Sequence, residues 1–95
     1  MNHLLTYTEW TRARTMLQHI LREPGVLDER AVALLRGSVL PQLEVAIAML
    51  AGDQPRDTLA RWNAFLPAAV AAVGSDPELA RVQAHLRAGL AALAT

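Results

Sequence analysis

The sequence predicts an all-α fold, a single domain over residues 1–95 built as a small bundle of four to five antiparallel helices. Three observations carry that expectation. Eighteen residues are Ala and sixteen are Leu, and both sit at the top of the helix-propensity order because they lose little side-chain freedom in a helix. Apolar residues recur at steps of three and four, the spacing of one helical face. Pro and Gly fall between those runs rather than within a strand-like alternation, so the helices are joined by short connections and neighbours run antiparallel.

The first helix is the best signalled. Thr6 and Glu9 have capping-box spacing, and Leu5 and Trp10 stand at the two positions of a hydrophobic staple, so the helix is expected to start at Tyr7. Trp10, Ala13, Leu17, Ile20 and Leu21 then share a stripe that Pro24-Gly25 ends. Asp28 is a suitable N-cap for the next helix. From there Ala31, Leu35, Val39, Leu43, Ala46 and Leu50 keep one helical phase as far as Gly52. Two readings fit that stretch: a break at Arg36-Gly37-Ser38, with Ser38 capping a new helix, or one long helix kinked by Pro41. The unbroken phase favours the long helix.

A further helix begins near Gln54-Pro55 and places Leu59, Trp62, Leu66, Ala69 and Val73 on one face, with a kink or short break expected at Leu66-Pro67. Gly74 closes it. Ser75-Asp76-Pro77-Glu78 offers a second capping box with Pro in the first turn, and Leu79, Val82, Leu86, Leu90 and Leu93 form the stripe of the last helix.

Composition narrows the function classes. Nine Asp and Glu balance nine Arg, and no Lys occurs. The Arg residues are scattered rather than gathered on one basic face, which argues against nucleic acid and anionic membranes as partners. The longest uncharged stretch, Trp62 to Ser75, contains Pro67 and is too short to span a bilayer. The absence of Cys excludes disulfides, zinc knuckles and thiol catalysis. With no secretory signal at Met1-Asn2-His3-Leu4-Leu5, a cytoplasmic setting is expected, and the Arg-only, Ala-rich usage suggests a bacterial source. An apolar fraction of 53% is high for so small a soluble domain, so some of that surface is expected to face a homodimer mate or another protein.

Candidate chemistry is sparse. His19 and Glu23 lie one turn apart, but two ligands do not make a metal site, and no cofactor is expected. Ser38 and Ser75 lack a strained nucleophile turn, and no glycine-rich phosphate loop is present. Glu44 breaks an otherwise uncharged segment, Arg36 to Asp53, and is either a solvated edge residue or a polar anchor for a partner. Trp62 and Phe65, with Leu59 and Leu66, read first as core and alternatively as a binding hot spot. The Ala-rich run around Val70 and Val73 is apolar on nearly every side and suits a central helix or an interface.

Two stretches carry a family resemblance. The helix pair from Ala13 to Leu40, with Asp28-Glu29, Ala31, Leu34-Leu35-Arg36, Ser38 and Leu40, resembles the tetratricopeptide-like needle-subunit chaperones of type III secretion. The tail Ser75-Asp76-Pro77 with Leu79 and Leu86-Arg87 is similar to the end of those proteins. The resemblance implies tetratricopeptide-like helix hairpins and a non-enzymatic cytoplasmic chaperone that binds an amphipathic helix. The segment between Trp62 and Asp76 is shorter than that family's pattern, and no partner-binding residue carries over.

The sequence therefore leads to a non-catalytic helical interaction module, an adaptor, chaperone or dimerisation domain, with Trp62, Phe65, Leu66 and Glu44 as candidate partner-binding residues. The alternative is a small all-helical enzyme or ligand-binding bundle with a pocket between helices. An exposed apolar surface would favour the first, and Arg, Glu and His gathered around a cavity the second.

Overall fold

The computed structural model describes residues 3–23, 25–52, 54–74 and 76–94. Among them the chain forms five helices and no strand: α1 (Leu4–Arg22), α2 (Glu29–Met49), α3 (Arg56–Asn63), α4 (Leu66–Val73) and α5 (Pro77–Leu93). The all-α bundle is as the composition predicts.

The frame is the pairing of the first helix with the last. Thr6 meets Gly89 and Trp10 meets Leu86, so α1 and α5 run antiparallel. The expected stripes supply the contact: Trp10, Ala13, Leu17 and Ile20 from α1, and Leu79, Val82, Leu86 and Leu93 from α5, are all buried. Trp10 lies directly over Gly89, where a Cβ would overlap the indole ring. The indole Nε1 donates to the Leu86 carbonyl at 3.4 Å.

The start of α1 differs from the expectation. The helix begins at Leu4, with His3 at the N-cap and no side-chain cap. Thr6 lies inside the helix, buried, and its hydroxyl donates to the Gly89 carbonyl at 2.9 Å. Glu9 turns toward α5 instead of back along α1, and Leu5 is 60% exposed, so neither the capping box nor the staple forms. Tertiary partners on α5 win over local capping, because a buried hydroxyl must find an acceptor and the Gly89 carbonyl provides one.

α2 is the long continuous helix that the unbroken phase favours. Asp28 caps it, its Oδ1 accepting from the Ala31 amide at 2.8 Å. Residues Leu35–Val39 form a π turn, with the Leu40 amide donating five residues back to the Leu35 carbonyl. That wider turn answers two demands. Pro41 lacks an amide and would crowd the Gly37 carbonyl in an unbroken α-helix. In addition Ala31, Leu35, Val39 and Leu43 are each four residues apart, and every such step overshoots a 3.6-residue turn by about 40°. The π turn takes up the drift, and all four side chains stay buried. Arg36 ties α2 to α1 by donating from Nη2 to the Leu21 carbonyl at 3.2 Å, one of the carbonyls that a helix end leaves unpaired.

The expected interruption near Leu66-Pro67 is a break two residues earlier, at Ala64 and Phe65. Pro67 then sits in the first turn of α4, where a missing amide costs nothing. α4 ends before Gly74, and Asp76 caps α5, its Oδ1 accepting from the Glu78 amide at 2.8 Å. Ser75, expected as a cap, and Pro24, expected with Gly25 to end the first helix, lie outside the described residues.

Candidate interaction surface

The four residues singled out from sequence separate into surface and core. Trp62 is 50% exposed and Phe65 is 47% exposed. Leu66 is buried, and Glu44 is exposed on α2. The first reading of Trp62 and Phe65 as core is therefore overturned. Leu66 belongs to the core and does not itself reach a partner.

Asn63 explains the reversal. The buried row of this region is Leu59, Asn63, Leu66 and Val70, at steps of four, three and four. Trp62 stands one residue off that row, turned by about 100° toward solvent. Asn63 is tolerated in the interior because its amide is satisfied: Nδ2 donates to the Leu59 carbonyl at 2.8 Å, and Gln42 of α2 donates to Oδ1 at 3.3 Å. The same link joins α2 to α3; Glu44, two residues beyond Gln42, is turned about 200° around α2 from it, so the structure does not bring Glu44 together with Trp62. Glu44 forms no ion pair among the described residues. Phe65 occupies the break between α3 and α4, held there by the demand of Pro67 for a new helix start.

α2 adds apolar surface. It is the one helix among the described residues long and apolar enough to cross a membrane by length and composition. Its most apolar window has a mean hydropathy of 1.4, and 28% of that window is buried. The uncharged stretch considered from sequence, Trp62 to Ser75, is instead divided between α3 and α4. Leu34 and Val45 on α2 are 43% and 52% exposed.

A second cluster was not legible in the sequence. The His85 Nδ1 lies 2.6 Å from the Glu9 Oε2, and Arg12 Nη1 approaches the other carboxylate oxygen at 3.5 Å. Glu9 and His85 are mostly shielded from solvent, whereas Arg12 is largely exposed. A carboxylate only accepts, so Nδ1 is the donor of this contact. His85 and Arg12, with Thr11, Thr15 and Met16, line an open groove of about 380 Å³ between α1 and α5. The Thr11 and Thr15 hydroxyls already donate to carbonyls of their own helix, so neither is poised as an activated nucleophile. The only sequence signal was a helical stripe that aligns α1 with α5, and register cannot be read from that alone.

His19 and Glu23 lie 3.7 Å apart on the surface, both more than half exposed. Among the described residues no group of three or more His, Cys, Asp or Glu side chains is placed to hold a metal ion. Compared with protein-family models, curated proteins and solved structures, the chain matches none.

Proposed function

We propose that this protein is a non-catalytic helical interaction module that buries an apolar helical surface against a protein partner. The observation that carries the reading is the half-exposed pair Trp62 and Phe65, set over a filled core of Leu59, Leu66 and Val70. Two aromatic side chains left in water by a domain that has Leu and Val to spare for its interior are the anchors expected of a binding hot spot. An apolar helix is a fitting occupant for such a surface, in keeping with the adaptor or chaperone role and the cytoplasmic setting expected from the sequence.

The test is affinity capture with two baits, the wild-type chain and a Trp62→Ala/Phe65→Ala variant, followed by direct binding of each recovered protein to the purified chain. The reading expects proteins that bind the wild type directly and are lost with the variant, whose helical circular-dichroism signal is unchanged. Recovery of the same direct binders by both folded baits would overturn it. The second reading, a ligand-binding or enzymatic bundle, finds its support in the Glu9, His85 and Arg12 groove. It expects His85→Ala, rather than the aromatic variant, to abolish function.

A further inference from the structure

We infer that the outward face of α2 is a self-association surface, occupied by the α2 of a second copy of this chain running antiparallel. The inference rests on the reading of the chain as an interaction module, and it names one partner and one geometry. Ala33, Gly37, Pro41, Val45 and Ala48 are all exposed and follow one another along the side of α2 opposite its buried row. This face carries no charge, and Val45, 52% exposed, contributes large apolar area to it.

Charge placement identifies the occupant. The charged residues of α2 are Glu29, Arg30, Arg36 and Glu44. Arg36 and Glu44 stand four residues to either side of Leu40, on one row along one flank of the uncharged face. A two-fold axis passing at Leu40 keeps each flank on its own side while reversing the helix direction. Arg36 then meets Glu44 of the second copy, and the reciprocal pair forms by symmetry, as flanking charges do in paired helices. The same axis interleaves the apolar faces. Counted from Leu40, Gly37 falls between Pro41 and Val45 of the second copy, and Ala33 falls between its Val45 and Ala48, which is ridge-into-groove packing. Arg36 is already steadied by one bond to the Leu21 carbonyl and has further donors for a carboxylate.

A lipid bilayer is the less favoured occupant of this face. Glu44 and Arg36 lie near the middle of α2, where a membrane would have to bury both. The area sets the strength. A 21-residue helix is about 31 Å long and about 10 Å wide, a footprint of roughly 300 Å². A standard interface buries ~800 Å² per partner, so a weak dimer with Kd in the high-micromolar range is expected.

Sedimentation equilibrium from about 10 µM to 1 mM tests the proposal on wild type, Glu44→Arg, Arg36→Glu and the Arg36→Glu/Glu44→Arg exchange, with circular-dichroism melting beside each. The wild type should approach dimer mass at the highest concentration. Each single variant should weaken association about tenfold or more, since like charges then face each other, and the exchange should restore it. Glu44→Arg disturbs no ion pair within the protomer among the described residues, so its effect reads association even if Arg36→Glu perturbs the fold. A monomer throughout, single variants that dimerise normally, or an exchange that fails to restore the dimer would each overturn the proposal. So would a wild-type chain that stays monomeric while cosedimenting with phosphatidylcholine vesicles. None of these outcomes alters the Trp62 surface, so the capture experiment stands or falls separately.

Discussion

Replacing Gly89 by Ala sets two physical effects against each other. In a solvent-facing helix the change would stabilise by about 1 kcal/mol, because Ala is the better helix former. At Gly89, however, the new Cβ would overlap the Trp10 indole, which is fully buried and fixed between α1 and α5. Forcing a large side chain out of a filled core costs about 1–3 kcal/mol. The shift would also strain the Thr6 hydroxyl bond to the Gly89 carbonyl and the Trp10 bond to the Leu86 carbonyl, each about 0.5–1.5 kcal/mol. Set against the propensity gain, a net destabilisation of about 3 kcal/mol is expected, a fall in Tm of roughly 12–24 °C for a domain of this size. Circular-dichroism melting and urea titration measure it. Gly37→Ala is the internal control: nothing lies within 4 Å of its added Cβ, and it should leave stability unchanged or raise it. A Gly89→Ala variant as stable as the wild type would refute the close packing of α1 on α5 through Trp10.

Asp28→Ala removes the side-chain cap of α2 and should cost about 1 kcal/mol by urea titration; no change would mean that the Asp28 bond to the Ala31 amide contributes nothing. Asn63→Ala leaves the Gln42 amide without its partner and opens space at a fully buried position, so a loss of about 2 kcal/mol is expected. A stabilising Asn63→Leu would show that an apolar side chain serves that row as well, because it removes the need for the amide pair. Trp62→Ala should shift stability by less than about 1 kcal/mol, whereas a core Trp would cost ~3–5 kcal/mol; a large drop in Tm would return Trp62 to the interior.

Much of the bundle was legible because apolar periodicity reports burial directly. The stripes of α1, α2 and α5 came through with their residues, since Leu17, Leu35, Leu43 and Leu86 have no competing local role. In α2 the unbroken phase pointed to one long helix with a kink at Pro41, and the π turn at Leu35–Val39 was not foreseen, because which local distortion accommodates a proline is decided by the packing of the whole row. The failures fall where a polar residue takes an interior place. Thr6 reads as a cap on local grounds and Asn63 carries no signal for burial, and only a partner distant in sequence makes each worth burying. Trp62 was misplaced for the same reason, because Asn63 holds the core position beside it. The Glu9 and His85 contact joins residues 76 apart and depends on the register between α1 and α5, which hydrophobic patterning leaves free.

The most direct measurement of the central claim, that Trp62 is displayed to a partner and not folded away, is acrylamide quenching of tryptophan fluorescence. Trp10 is fully buried and Trp62 half exposed, so the wild type should show two classes of emission, one readily quenched and one resistant. Trp62→Phe should abolish the quenchable class and leave a blue-shifted, protected Trp10. Uniformly resistant emission from a monomeric wild-type chain, or a quenchable class that survives in Trp62→Phe, would contradict the account.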